Sequence, residues 1–324
     1  LEKVAELPVW RLKLKAGACN KYFGGRKVGI FGFGSKSFLG VDIGTSRIKA
    51  VAVDKGRVLG KGTATIEGNG ADDFSKIKSA LEIALEQIGV RVSEAVLALG
   101  ADKAIVRYVL LPKMTEKDLR AGLKYEASKY LPIADQDVVV DFVILEDEVE
   151  GEPGKMRVLL AALRRELAEK YYGLFKQTGL KLKAIDLIPL ALCRLFRTLG
   201  ERGNIIAVDI GENFSYVVLL ESGKLAFSRA VNIGCREMAR VAFPSSLNPA
   251  ADLVQEIRRS LDFYRMQKKY DYIPERLLIC GGGGYISNIE SILEEGMGIS
   301  SEVVTPLGLG PEYAVAVGLA LRER

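Results

Sequence analysis

The chain has 324 residues, 48% apolar and 27% charged, a balance that excludes wholesale disorder; at roughly 150 residues per domain it points to about two domains. The formal charge is +5, but residues 1–40 hold eight Lys or Arg against two Glu, so the remainder is nearly neutral and a nucleic-acid groove across it is disfavoured. There is no histidine, and the four cysteines (Cys19, Cys193, Cys235, Cys280) form no Cys-x-x-Cys pair, which removes a Ser-His-Asp triad, a Cys-His nucleophile, a Cys/His zinc site and a histidine base.

Residues 1–36 read as a flexible basic leader. Its apolar residues are broken up by Lys and Arg, so no export signal is indicated and a cytoplasmic location is expected. Val9–Lys15 alternates apolar and basic residues, which suits a mobile tail or contact with an anionic membrane surface. Gly29 and Gly34 have P-loop spacing, but Lys36 stands one position late and the amine is misplaced.

The first periodic segment, Leu39–Val53, predicts a strand, hairpin, strand unit with a turn at Asp54-Lys55-Gly56 and a further extended run. A related unit begins at Ile205, turns at Glu221–Lys224, and repeats Val-Asp-Ile-Gly with Asp209 standing 167 residues after Asp42. That separation is too long for a solenoid and suggests two homologous lobes. Between them, Asp72–Ile88 has the spacing of one buried helix face and stops at Gly89. Val92–Leu99 predicts a buried strand, Thr115 caps a helix that closes before Pro132, and strands are expected over Val138–Leu145 and Val158–Leu163. A helix to Gln177 follows, with Gly179 as its stop. Later come a helix after Pro249, a buried strand Leu277–Cys280, and an Ala-rich closing helix from Tyr313 to Arg322. Such alternation is α/β.

In Asp42-Ile43-Gly44-Thr45-Ser46 a glycine turn lets backbone N–H groups and hydroxyls approach a phosphate. Asp42 would repel that phosphate directly, so it points to a hydrated divalent cation lying between, with Lys49 supplying positive charge. The second unit offers Asp209, Gly211 and Ser215 in matching places. The strand ending at Cys280 runs into four glycines, of which Gly281, Gly282 and Gly283 permit close backbone approach to a nucleotide. Two such turns facing each other would clamp a nucleotide polyphosphate and its Mg²⁺ through Asp42 and Asp209. The absence of a G-x-G-x-x-G strand-to-helix turn weakens a dinucleotide reading.

These hairpins and the glycine run resemble the two phosphate motifs and the adenosine motif of the actin, sugar-kinase and heat-shock ATPase superfamily. An ordered set of further segments narrows the likeness: Leu111–Leu119 (LPKMTEKDL), Tyr125–Pro132 (YEASKYLP), Gly179-Leu180 with Ala184-Ile185-Asp186, Glu256–Tyr264 (EIRRSLDFY) and Gly310–Ala320 (GPEYAVAVGLA). From about residue 37 onward the chain resembles the PilM family of type IV pilus assembly proteins, relatives of the division protein FtsA. The resemblance implies an actin-like (ribonuclease H-like) two-lobed fold binding ATP and Mg²⁺ between the lobes, with at most weak ATPase activity. Its implied layout is lobe I over 37–89 and 184–203, an FtsA-type inserted small domain over 90–183, lobe II over 204–310 and a closing helix over 311–324. It also implies a partner, the N-terminal cytoplasmic peptide of a PilN-type inner-membrane protein, and through it PilO and the pilus motor at the inner face of the inner membrane. The peptide is expected in the groove between lobe I and the inserted domain.

Three departures from that pattern bear on chemistry. Ser215 replaces a more usual Thr, Ile188 stands before Pro189 where relatives often carry a polar residue that orients water, and the stretch between Gly234 and Pro249 shortens the upper subdomain of lobe II around 232–252. Fast hydrolysis thereby loses its obvious water-positioning group, with Asp186 as the compensating candidate, and base recognition is weakened. An ATP-dependent phosphotransferase of the sugar-kinase superfamily and an FtsA-like filament-forming division protein remain the alternatives to an adaptor.

Overall fold

The computed structural model describes residues 38–68, 73–100, 102–133, 137–240, 249–268 and 271–322; the basic leader and its P-loop-like glycines lie outside them. The chain opens with strands β1 (Phe38–Ile43), β2 (Arg47–Asp54) and β3 (Arg57–Thr65), helix α1 (Phe74–Glu86) and strand β4 (Glu94–Leu99). An excursion follows: β5 (Ala104–Pro112), α2 (Glu116–Tyr130), β6 (Val138–Glu146), β7 (Lys155–Arg164) and α3 (Arg165–Gln177). The chain returns through β8 (Lys181–Leu187) into α4 (Ile188–Thr198). The first sheet has the order β3-β2-β1-β4-β8, and the excursion forms its own antiparallel sheet, β5-β7-β6.

The second half repeats the first. Strands β9 (Ile205–Ile210), β10 (Ser215–Glu221) and β11 (Lys224–Val231) precede α5 (Cys235–Arg240), α6 (Pro249–Gln267), β12 (Arg276–Cys280), α7 (Ile289–Met297), β13 (Ser301–Val303) and α8 (Ala314–Ala320). Their sheet runs β11-β10-β9-β12-β13, the order of the first sheet. The repeat extends to local detail. Lys55-Gly56 and Ser222-Gly223 both turn with positive φ (48° and 76°, 49° and 70°), the conformation that joins strands without splaying their twist. The β-bulge at Ala52/Val53 recurs at Leu219/Leu220, the same 167-residue offset.

Packing follows from the sequence pattern. The Asp73 carboxylate caps α1 by accepting from the Ser75 and Lys76 amides, and α1 buries Ile77, Ala80, Leu81 and Ala84. Thr115 caps α2 the same way through the Asp118 amide, and Leu119, Leu123 and Ala127 cover the small sheet. Helix α4 is buried from Ile188 through Phe196, Arg194 within that stretch being paired with Asp186. It lies in a core continuous across both lobes: Ile205, Ala207, Val218 and Leu220 of the second sheet join Leu190, Leu192 and Phe196. The opposite face of that sheet, Ile206, Val208, Ile210, Val217 and Leu219, packs with Leu253, Ile257 and Leu261 of α6. Both faces of the sheet are covered at its centre, which is why β9 and β10 lack polar alternation.

The interval 90–183 expected for the inserted domain is narrower as a separate sheet. Glu94–Leu99 pairs with β1 and with Lys181–Leu187 inside the first sheet, so the small sheet and its helix occupy 104–164. The physical reason lies in β4: all six of its residues are buried between neighbouring strands, which makes it a central strand of lobe I. Between β11 and α6 the described residues hold α5 alone.

Candidate functional site

A cleft of about 870 Å³ opens where the two sheets present their corresponding hairpins. Asp42 is the next-to-last residue of β1, opposite Lys49 of β2, and Asp209 the next-to-last of β9, opposite Tyr216 of β10. The turns beyond them are built alike: the Gly44 amide donates to the Arg47 carbonyl at 2.9 Å, and the Gly211 amide to the Phe214 carbonyl at 3.0 Å. Asp42, Gly44, Thr45, Ser46 and Lys49 of the first unit, Asp209 and Gly211 of the second, and Gly281 and Gly282 all line this cleft. Two chain segments distant in sequence are thus brought to one site.

The charges are unequal. Lys49 donates from Nζ to Asp42 Oδ2 at 2.9 Å. Burial opposes the ammonium, but the Asp42 carboxylate, with Asp209 and Glu312 behind it, raises its pKa above the ordinary lysine value. Among the described residues of its own lobe no such cation is paired with Asp209, and Tyr216 stands where Lys49 would. Burial and the charge of Asp42 push the Asp209 carboxyl up to about 6, against the smaller pull of Lys49. A buried carboxylate with its charge only partly met suits a site that takes up a cation.

Gly281 adopts φ +79°, and a Cβ there would lie 2.5 Å from the Ile210 carbonyl and 2.6 Å from Asp209 Oδ1. The backbone can pass that close to the carboxylate only without a side chain. Gly282 is open enough that a Cβ would meet only Cys235 Sγ, at 3.7 Å.

Two expected site residues lie elsewhere. Ser215 is fully buried, and its hydroxyl donates to the Ile233 carbonyl at 2.6 Å instead of entering the cleft. Its counterpart under the 167-residue offset is Ile48, also fully buried, so the strand's alternation turns this position inward in both lobes. Gly283 is buried too; a Cβ on it would strike the Ile210 side chain, so this glycine serves packing between strand and turn. Asp186 does not line the cleft. It is fully buried, with Oδ2 2.6 Å from both Arg194 Nη2 and Arg322 Nη1 and Oδ1 accepting from the Leu187 amide. Ile188 does line it, and presents an apolar group there.

The cleft also gathers residues that the motifs did not single out. Arg47 comes from the first hairpin, Arg236 from α5 with Nη2 2.6 Å from Glu212 Oε1, and Tyr285 from the turn after the glycines with its hydroxyl donating to Glu312 Oε2 at 2.6 Å. Their only sequence signal is adjacency: Arg47 follows the turn, and Tyr285 follows the glycine run. At the hairpin turns the donors are the Asp42 and Asp209 carboxylates, the Lys49 amine, the Thr45 and Ser46 hydroxyls and glycine backbone, while Asp102, Glu212, Glu312 and Lys103 line the cleft further out. Among the described residues no cluster of three or more Asp, Glu or Cys is placed to cage a metal. A divalent ion at Asp42 and Asp209 would therefore share its remaining coordination with water and phosphate oxygens, as Mg²⁺ commonly does.

With this geometry in hand, likeness to known proteins becomes informative. The chain is similar to a chain of a PilM–PilN type IV pilus biogenesis complex, with TM-score 0.74 and 25% identity, covering 88% of this chain and 98% of that one. It shares its fold with the ethanolamine utilization protein EutJ of Carboxydothermus hydrogenoformans (TM-score 0.50, 17% identity, 87% of this chain and 88% of that one). The same holds for a Bacteroides thetaiotaomicron protein with an actin-like ATPase fold (TM-score 0.51, 11% identity, 89% of this chain and 96% of that one). Together with the duplicated sheets, these likenesses make the fold actin-like. The family model for the type IV pilus assembly protein PilM matches residues 40–242, and the chain belongs to that family.

Proposed function

We propose that the protein is an actin-like adaptor of type IV pilus assembly that holds ATP with Mg²⁺ in the interlobe cleft and captures the N-terminal cytoplasmic peptide of a PilN-type inner-membrane protein. Through that peptide it would be linked to PilO and the pilus motor. The observation that carries this reading is the likeness to the PilM–PilN complex over 98% of the matched chain. The division proposed is two lobes with a small inserted domain. Among the described residues no helix is long and apolar enough to cross a membrane, which agrees with a protein brought to the membrane by a partner.

The nucleotide reading rests on Asp42 and Asp209 lining one cleft with glycine turns beside each. Asp42 and Asp209 would hold the cation, which neutralises phosphate charge when bound, while Lys49, Thr45, Ser46 and the amides of the turns at Gly44 and Gly211 orient the phosphates. Little turnover is expected. Ile188 supplies no polar atom to position water, and Asp186, the compensating candidate, is held by Arg194 and Arg322.

For the peptide, a second cavity of about 630 Å³ lies where lobe I (Leu99, Leu187, Ile188) meets β5 of the small sheet and β11 of lobe II. Strands β5 and β11 are each outermost in their sheets, so either edge offers backbone groups to an extended peptide. Tyr108 and Ser228 join the two strands through a 2.7 Å hydroxyl contact. Leu99, Gly100, Ile188 and Tyr216 line both cavities, which gives nucleotide and peptide a shared wall.

The test is capture of the N-terminal peptide of the membrane protein encoded beside this one, with and without Mg-ATP. Capture supports the adaptor; no capture in either state favours the phosphotransferase or filament reading.

A further inference from the structure

The small sheet meets its two neighbours in different ways. Against lobe I it packs apolar side chains: Val143, Leu159, Ala161 and Leu163 belong to the core that runs through both lobes. Against lobe II it sets a network of charges and rings that neither the nucleotide cleft nor the peptide edges use. Glu146 ends β6 opposite Arg157 of β7, and Arg157 Nη1 lies 3.2 Å from Glu146 Oε1. Across the boundary, Glu221 ends β10, Tyr264 lies in the last turn of α6, and Lys268 directly follows that helix.

Lys268 Nζ stands 3.4 Å from Glu146 Oε1 and 3.2 Å from Glu221 Oε2, so one ammonium holds a carboxylate of each body. The Tyr264 hydroxyl donates to Glu221 Oε2 at 2.9 Å. The Arg157 guanidinium lies 5.4 Å from the centre of the Tyr108 ring and 5.5 Å from that of Tyr264, again one on each side. The Lys268 and Arg157 side chains are 10% and 8% exposed. Two cations and two carboxylates balance in charge, but Arg157 Nη2 and Glu221 Oε1 are buried without a hydrogen-bond partner among the described residues.

A buried ion pair roughly breaks even against the water it gives up, and an unmet polar atom adds a cost. When the two bodies part, all four charges regain water, which offsets the lost attraction; an apolar seam has no such compensation. The seam to lobe I is therefore the fixed one, and the seam to lobe II is built to open. The network also adjoins the second cavity. Tyr108, under Arg157, lines it, as do Phe263 and Gln267, the residues just before Tyr264 and Lys268. A chain running between β5 and β11 has to part the Tyr108–Ser228 contact, and the network holds that contact closed.

We propose that Lys268, bridging Glu146 and Glu221 beside Arg157, is a releasable latch between the small domain and lobe II. Closed, it keeps the second cavity narrow; released, it lets the small domain swing about its seam with lobe I and admit an extended peptide. The latch stands on the network itself, and its effect on the peptide rests on the reading above.

The test measures the separation of the two bodies and the affinity for the peptide independently, on the full chain. Nitroxide labels at Ser128→Cys of α2 and Ser291→Cys of α7, both exposed, report the separation by pulsed electron resonance; the background carries Cys19→Ser and Cys235→Ser, since Cys193 and Cys280 are buried. With the latch intact one narrow distance is expected. Lys268→Met and Glu146→Gln should both broaden it toward longer values, and Lys268→Arg should leave it as it is. Glu146→Gln keeps the Lys268–Glu221 pair within lobe II, so it carries the test if Lys268→Met fails to fold. The N-terminal peptide of the membrane protein encoded beside this one, titrated calorimetrically, should bind the two opened variants about fivefold or more tighter, because binding no longer has to break the latch. Unchanged distances in Lys268→Met and Glu146→Gln overturn the latch. Longer distances with no gain in affinity overturn its control of the cavity. If neither the unaltered protein nor any variant binds the peptide, the adaptor reading falls, while the distances still decide the latch.

Discussion

Asp42 and Asp209 stand 167 positions apart, each next to last in corresponding strands of two sheets, yet burial and the charge of the first together hold the carboxyl of the second at about 6. Two groups that repel across a cleft are kept there by the rest of the fold. Their cost in the unliganded state gives the first prediction its sign.

A carboxyl whose pKa is raised on folding contributes stability that is full below its unfolded value, near 3.8, and lost as pH rises through about 6. Asp209→Asn should therefore stabilise the nucleotide-free, magnesium-free protein at pH 7.5 by up to about 3 kcal/mol. The gain should fade toward zero near pH 4. Urea unfolding at both pH values measures it, and a difference that does not change with pH would show that Asp209 is an ordinary carboxylate.

Gly281 and Gly282 adjoin in sequence but should respond differently to alanine. At Gly281 the left-handed backbone and the closeness of Ile210 and Asp209 should make Gly281→Ala cost at least about 2 kcal/mol and weaken ATP binding sharply. At Gly282 the added methyl meets only the Cys235 sulfur, so Gly282→Ala should cost less than about 1 kcal/mol. Thermal unfolding and ATP titration of the two variants give the comparison. Equal effects would mean that the glycine run acts by flexibility instead of by close approach.

Asp186 is the ionic centre of the closing helix. Burial works against its charge, but the guanidiniums of Arg194 and Arg322 outweigh it and hold the carboxyl below the usual aspartate range. Its contribution is present above about pH 4 and is lost as pH falls further. Asp186→Asn leaves two buried arginines short of a counter-charge and should destabilise the protein by about 3–5 kcal/mol at neutral pH. Denaturant unfolding should show this; a cost under about 1 kcal/mol would mean that the arginines reach water or another acceptor.

Much of the fold was legible because its signals are local. Alternation and the Lys55-Gly56 and Ser222-Gly223 turns marked the hairpins, Asp73 and Thr115 capped helices close to where their sequences predict, and Gly179 ends α3 with φ +76°. Strand β8 and helix α4 carried no comparable punctuation. Most of their residues are buried because they lie between layers, and periodicity does not separate a largely buried strand from a largely buried helix. In the site, Asp42, Lys49, Asp209 and Gly281 were legible since the turn next to each carboxylate and the glycine run are motifs in themselves. Ser215 was misplaced because a hydroxyl near a phosphate motif suggests a ligand, whereas the strand's direction sends it to the Ile233 carbonyl.

The sequence by itself determined that two related hairpins exist, that each carries one buried-strand aspartate, and which family the arrangement resembles. These properties are set by neighbours within a few residues and by repetition along the chain. Only the tertiary structure decided that Lys49 answers Asp42 while Tyr216 stands opposite Asp209, that Arg322 closes on Asp186, and that Tyr285 faces the cleft. Asp42 and Lys49, like Asp209 and Tyr216, stand seven residues apart and are set opposite by the register of one hairpin, whereas Asp186 and Arg322 are 136 residues apart and meet only through the packing of the closing helix on lobe I.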